Sequence, residues 1–310
     1  MSNSDCIFHN KDGVPYEEMS CIYPQLKPLY TKFELHYDPV DSRDWMQEHP
    51  IIPIAAVSLY VILIFWGRDV FMKEKKAYDW RKGMAMWNLG LSVFSWAGLI
   101  HTLPHLMHNL TTKSWRDNLC NDPEASFGSG STGLWAQLFV LSKFPELIDT
   151  LFIVVHKKPL IFLHWYHHVT VLLYCWHSYV SSAPTGLFFI VMNYGVHAVM
   201  YGYYFLMTIK AKPKWFNPMW ITYGQISQMI VGTTIACASV YYLNTDKNEK
   251  DPCWLKKENT MAACLMYGSY LMLFVQFFVN RFLRGGEKKK AIAKQTKVPA
   301  PKKKLAKKEE

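Results

Sequence analysis

The sequence predicts an all-α integral membrane protein whose chain crosses the bilayer seven times. Three observations carry that expectation: half of the 310 residues are hydrophobic, they are gathered in long runs, and lysine and arginine are gathered between alternate runs. Each run approaches or exceeds what a hydrocarbon core of roughly 30 Å requires at about 1.5 Å per helical residue.

Taken in order, residues 1–50 are polar and acidic, without a basic start, a short apolar core and a small-residue cleavage site. They are read as an uncleaved lumenal segment, with the first span, 51–67, as the anchor. The second span is 84–107 and the third 134–155. Lys143, Glu146 and Asp149 interrupt the third, which hydropathy alone would not identify as a span. Spans at 160–180, 185–209, 217–243 and 262–280 complete the domain, 51–283, and a basic tail, 284–310, follows it.

Charge in the connections sets the orientation. Arg68, Lys73, Lys75, Lys76, Arg81 and Lys82 follow the first span, Lys157 and Lys158 the third, and Lys210, Lys212 and Lys214 the fifth. These are the cytosolic faces. The segment 181–186 is uncharged, and 244–260 balances its lysines with acids. The amino terminus is therefore expected in the lumen and the tail in the cytosol. Most of the net charge of +10 belongs to that tail. It suits a solvated segment near anionic headgroups and argues against nucleic-acid binding, since no basic and aromatic surface alternates there. Lys307 and Lys308, third and fourth from the end, match a dilysine retrieval signal of endoplasmic reticulum membrane proteins. Cys120 and Cys253 fall in connections assigned to the oxidising lumen, where they form a disulfide or remain two free thiols. Asn109 begins a glycosylation acceptor too close to a span end for good use.

Ionisable groups at membrane depth are costly and usually face the protein interior. Lys143, Glu146 and Asp149 recur every three residues and partly neutralise one another on one helix face. His164, His167 and His168 stand at i, i+3 and i+4, so their imidazoles share one side of the fourth span. Asn193, His197, Tyr201 and Tyr204 form a stripe on the fifth, and the sixth carries Gln225 and Gln228. Such a stripe of amides and tyrosines on its own is as well explained by hydrogen bonding between helices. Depth joins these groups: Asp149, the histidine trio and the two glutamines all fall in the cytosolic half, with His197 near the middle. They predict one buried site, open toward the cytosol.

Two chemistries suit clustered imidazoles. A non-haem di-iron site uses boxes of neutral histidines, and His101, His105 and His108 supply a second histidine-rich pattern. Topology places those three at the lumenal end, most of a bilayer from His164, and a second His-x-x-His-His box is absent because Ala198, Val199 and Met200 follow His197. Acyl transfer needs one neutral imidazole as nucleophile and a neighbour to handle the proton, which a single helix face provides. Cys175, two turns beyond His168 on the same face, reads as a packing residue. A non-catalytic lipid transporter or scaffold is the remaining reading.

Four segments in register, Lys143-Phe144-Pro145-Glu146-Leu147-Ile148-Asp149-Thr150, His164-Trp165-Tyr166-His167-His168, Asn193-Tyr194-Gly195-Val196-His197-Ala198-Val199-Met200-Tyr201 and Thr222-Tyr223-Gly224-Gln225-Ile226-Ser227-Gln228, resemble the signature boxes of the very-long-chain fatty acid elongases. The similarity runs from about Trp45 to the end of the seventh span. It implies a seven-helix protein of the endoplasmic reticulum, six helices forming an inverted barrel around a narrow acyl tunnel. It also implies condensation of a long-chain acyl-CoA with malonyl-CoA to a 3-oxoacyl-CoA two carbons longer, releasing carbon dioxide and CoA. No cofactor is implied beyond the two CoA substrates.

Carried onto this sequence, the pattern makes His167 the acyl-accepting nucleophile and His168 and His164 its support. His197 would activate malonyl-CoA or stabilise its enolate, and Glu146 and Asp149 complete the catalytic set. Lys143, Asn193, Tyr201, Tyr204, Gln225 and Gln228 would bind substrate, and Lys157, Lys158 and Lys214 the CoA phosphates. The resemblance further implies the reductases and dehydratase of the elongation cycle as partners, and a homo-oligomer. The residues between the histidines look like the branch that extends saturated and monounsaturated chains.

Overall fold

A computed structural model describes residues 6–284 apart from Lys247 and Glu249; the tail beyond, with Lys307 and Lys308, lies outside the described residues. The amino-terminal segment, expected only to be polar, is folded. Strands β1 (Ile7–His9) and β2 (Pro15–Glu17) pair antiparallel with Phe8 opposite Tyr16, and Gly13 supplies the positive φ of 77° that the intervening turn requires. A disulfide joins Cys6 to Cys21. Short helices α1 (Met19–Ile22), α2 (Lys32–Leu35) and α3 (Val40–Glu48) follow. The second of them starts on a capping box of Thr31 and Glu34.

The remainder is helical: α4 (Ile51–Trp66), ending in a π turn to Phe71, α5 (Arg81–Thr112), α6 (Trp115–Cys120), α7 (Gly130–Glu146), α8 (Ile148–Val155), α9 (Phe162–Val180), α10 (Gly186–Thr208), α11 (Met219–Thr245) and α12 (Lys257–Phe278). Among the described residues four helices, α4, α5, α11 and α12, are long and apolar enough to cross a membrane. The other three expected segments are helical too, 134–155 as α7 and α8, 160–180 as α9 and 185–209 as α10. The expected third span is corrected in one respect. It is two helices that meet at Leu147, because Pro145 has no N–H to donate and its ring crowds the carbonyl four residues earlier.

Helix neighbours follow one closed order: α5 packs on α10, α10 on α11, α11 on α12, α12 on α9, α9 on α7 and α7 on α5, with α4 outside against α8 and α9. Two absent side chains allow close approach within it. A Cβ at Gly98 would collide with the Tyr194 ring, and one at Gly232 with the Tyr267 ring. The outer faces of the long helices expose Leu59, Ile62, Val93, Ile230, Leu265 and Met272, an apolar surface suited to lipid rather than water.

Up-and-down succession gives the molecule two ends. At one lie the folded amino-terminal segment and the Cys120–Cys253 disulfide, which ties the end of α6 to the connection before α12. The other carries the basic connections α4–α5, α8–α9 and α10–α11.

Candidate active site

At the basic end the closed order of helices surrounds a cavity of about 470 Å³. His164, His167 and His168 reach it from the first two turns of α9, His197, Asn193, Tyr201 and Tyr204 from α10, Glu146 and Asp149 from either side of the Pro145 break, and Gln225 and Gln228 from α11. These expected residues thus meet in one place. Lys158 lines the cavity as well. Lys143 does not: it is fully buried behind Glu146. Lys157 and Lys214 also fall outside its lining, both exposed. Lys157 lines a neighbouring cleft instead.

Buried polar groups here are tied into three networks. In the first, Lys143 Nζ donates to Glu146 Oε1 at 2.7 Å and to Asn193 Oδ1 at 3.2 Å, and it sits 4.1 Å from the centre of the Phe139 ring. Ser142 donates to the same Glu146 oxygen at 3.1 Å. The other oxygen, Oε2, has no hydrogen-bond partner and lies 3.9 Å from His197 Nδ1. Asn193 Nδ2 and His197 Nε2 are 3.2 Å apart. The carboxylate is thereby fixed on one side and presented to an imidazole on the other.

The second network immobilises Asp149, which accepts from Trp87 Nε1 at 2.7 Å and from the Tyr201 hydroxyl at 2.6 Å. Both carboxylate oxygens are engaged, so Asp149 acts as a brace between α5, α8 and α10. In the third, the Tyr60 hydroxyl meets Thr150 Oγ1 at 2.8 Å, and that oxygen meets His164 Nε2 at 2.9 Å. The His164 and His168 rings lie 4.5 Å apart and the His167 and His168 rings 5.5 Å.

His167 differs from His164 and His197, whose rings are in hydrogen-bond contact with Thr150 and Asn193. Its backbone carbonyl accepts from Tyr270 at 3.2 Å, but among the described residues its imidazole makes no hydrogen bond, and it is only half-buried where it borders the cavity. His168, by contrast, is buried with Nδ1 sealed away from any partner.

Trp87, Thr150 and Tyr60 were not singled out from sequence. Thr150 ends the segment that begins at Lys143, so its place beside Asp149 was a usable signal. Tyr60 is one of two hydroxyl side chains, with Ser58, in the otherwise apolar α4. Nothing local marks Trp87.

His101, His105 and His108 are elsewhere. Asn88 lines the cavity, and His101 is thirteen residues farther along α5, a rise of about 20 Å. All three imidazoles pack at the disulfide end: His101 Nδ1 on the Ala97 carbonyl at 2.7 Å, His105 on Thr132 at 3.1 Å, and His108 on the Tyr23 hydroxyl at 3.0 Å. Asn109, buried there, donates to Ser126, which leaves its amide no room for a glycan.

Comparison with known proteins adds to this geometry. The model of the ELO: GNS1/SUR4 family matches residues 45–290. The rat protein named very long chain fatty acid elongase 6 is 40% identical over 261 residues, covering 84% of this chain and 94% of its own. Its human counterpart of the same name is 39% identical, covering 81% and 92%. A Trypanosoma cruzi protein named fatty acid elongase 3 is 37% identical, covering 82% and 91%.

Proposed function

The chain belongs to the ELO: GNS1/SUR4 family, and from that premise we propose how its residues carry out the condensing step of fatty acid elongation. It is an acyltransferase that joins a long-chain acyl-CoA and malonyl-CoA. The observation that carries the mechanism is His167, an imidazole without a hydrogen bond among the described residues, bordering a cavity beside Glu146, Asp149 and His164, which hydrogen bonds hold in place.

In the first stage a His167 ring nitrogen attacks the thioester carbonyl. The carbon–sulfur bond breaks, CoA leaves as the thiol, and the imidazole proton passes through a neighbouring imidazole, His168 or His164. In the second, malonyl-CoA loses carbon dioxide and the resulting enolate carbon attacks the acyl-imidazole. Carbon–carbon bond formation breaks the acyl–nitrogen bond, and a proton taken up from water through His168 or His164 returns His167 to its neutral form. His197, oriented by Asn193 and by the free Glu146 oxygen, faces the developing enolate. Gln225, Gln228 and Tyr204 supply donors for thioester and pantetheine oxygens, Tyr201, whose hydroxyl donates to Asp149, borders the substrate, and Lys157, Lys158 and Lys214 form a positive rim for phosphates. Saturated and monounsaturated chains of moderate length are the proposed acyl class.

The closed order of six helices supports the reading of an inverted barrel around an acyl tunnel, with α4 as a seventh span outside it. Two disulfides at one end and the basic connections at the other support a lumenal amino terminus and a cytosolic mouth for the site. The endoplasmic reticulum is the proposed compartment, and the reductases and dehydratase that process the 3-oxoacyl product are the proposed partners.

Mass spectrometry of the purified protein after incubation with acyl-CoA alone tests the mechanism. An acyl adduct on the peptide carrying His167 is expected. Its absence, with condensation intact, would replace the two-stage scheme by direct condensation with histidine as base.

A further inference from the structure

Outside the closed order of helices lies a second cleft of about 460 Å³, between the π turn that ends α4 and the end of α8. Arg68, Lys73, Lys157 and Lys158 line it above Met72 and Val154, with Asp69 as its single acid. Among the described residues none of the four cations is in an ion pair. Like charges gathered without partners around a concavity repel one another and favour an anion there.

The backbone shows how the charges are held together. Helix α8 ends with Lys157 N–H donating to the Val154 carbonyl and Lys158 N–H to the Ile153 carbonyl, both at 3.0 Å, the hydrogen-bond pair of a Schellman motif. That motif puts Lys157 at φ 53°, a conformation in which glycine is the unstrained choice. A lysine stands there instead, and its Nζ donates to the Lys73 carbonyl at 3.2 Å. Tyr78 N–H donates to the Val155 carbonyl at 3.0 Å, so the α4–α5 connection is pinned over the end of α8 at two points. Lys158 lines this cleft and the histidine cavity alike.

We propose that this cleft is a phosphate site that seats the nucleotide phosphates of a CoA thioester whose acyl end lies among the histidines. The proposal rests on the condensing reading above and adds Arg68 and Lys73 to the residues that hold substrate. Headgroups of anionic lipids offer the same phosphate chemistry; the shared wall at Lys158 favours the nucleotide, because it makes cleft and cavity neighbours along one ligand.

Equilibrium binding of adenosine 3′,5′-bisphosphate to the full-length protein in detergent tests this directly. The double variant Arg68→Ala with Lys73→Ala is expected to bind at least about tenfold more weakly, as loss of charge-assisted contacts implies. Its KM for acyl-CoA should rise by a similar factor, exceeding any fall in kcat, and Arg68→Lys should restore most of the affinity. A parallel arm compares thermal stabilisation by anionic and zwitterionic phospholipid. If the double variant loses the anionic-lipid stabilisation but keeps nucleotide affinity, the nucleotide assignment is overturned in favour of lipid. If neither changes, there is no phosphate site. Binding needs no turnover, so wild-type protein that binds the bisphosphate yet makes no 3-oxoacyl product would break the condensing reading and leave the cleft standing.

Discussion

Two regions of this molecule are rich in histidine, and they have opposite surroundings. On α9 and α10, His164, His167, His168 and His197 border a cavity of about 470 Å³ shared with carboxylates and amides. On α5, His101, His105 and His108 are buried against the folded amino-terminal segment and the start of α7, and none of them borders that cavity. His101 lies 3.6 Å from Glu34, stacked between Tyr30 and Trp135, while His108 lies 3.3 Å from Glu17. Residue type and helical spacing are nearly the same in both. What separates them is that the first set shares one cavity with carboxylates and amides from several helices, whereas the second set is packed one by one, His101 beside Glu34, His105 on Thr132 and His108 beside Glu17.

Exchange of one histidine in each region is the strongest way to break this contrast. His167→Ala is expected to lower malonyl incorporation into 3-oxoacyl-CoA by about 10³-fold, in the range set by losing a nucleophile and its proton transfer. His105→Ala should keep kcat within about twofold and instead lower the melting temperature, because it opens a void and leaves the Thr132 hydroxyl unpaired. Comparable losses of activity in the two variants would abolish the distinction.

Next in size is the buried Lys143–Glu146 pair. Removing one partner strands a charge where water does not reach, at a cost of about 3–5 kcal/mol, so Glu146→Gln should melt far below the wild type. Replacing both, as Lys143→Met with Glu146→Leu, should recover most of that stability without recovering activity, because His197 would then have no carboxylate beside it. A double variant as unstable as the single one would mean that the pair does more than neutralise itself. At the other end, His101→Gln should cost only about 1 kcal/mol, since a neutral hydrogen-bonding side chain can replace it.

Much of the active region was legible because a membrane segment leaves few reasons to carry charge. Three histidines at i, i+3 and i+4 and an Asn–His–Tyr stripe specify their faces by helical period alone, and alternating basic connections fix the end at which they meet. Elongase-like boxes in register then identified the chemistry. The histidines on α5 were correctly separated from the trio by depth, yet what they contact was not legible. Their partners, Tyr23, Glu17 and Glu34, come from an amino-terminal segment whose short elements depend on a disulfide and long-range packing rather than on periodicity. Trp87 was hidden for a similar reason. Its role exists only because α5 lies against α8, and a tryptophan near a membrane boundary is unremarked in sequence. Lys214 is exposed outside the cavity lining; a basic loop residue says which side of the membrane it is on, but not which mouth it faces.

A smaller effect tests whether the hydroxyls beside each cluster differ as the imidazoles do. Thr150→Val removes the oxygen between Tyr60 and His164 and should lower kcat about tenfold with little change in KM, while Thr150→Ser restores it. Thr132→Val, beside His105, should leave kcat unaltered and cost about 1 kcal/mol of stability.

The smallest effect concerns what seals the α5 cluster. Glu18 is buried at the start of α7, accepting from Ser20 N–H at 3.2 Å and from Ser131 N–H. Burial pushes its carboxyl above the usual carboxylate range, and those N–H groups offset only part of the rise. The folded protein therefore holds this proton more tightly than the unfolded chain. The resulting stabilisation is complete below the unfolded value, about 4.3, and is lost as pH rises through the raised folded value. Above that raised value an ionised Glu18 is a cost that a neutral amide removes. Glu18→Gln should thus melt at or slightly above the wild-type temperature at pH 7, with a flatter dependence between pH 4.5 and 7, and with condensing activity unchanged. An equally steep pH dependence in the variant would assign the titration to another group. A fall in activity would mean that the seal and the catalytic cavity communicate along α7, and the two histidine regions would then be one system rather than two.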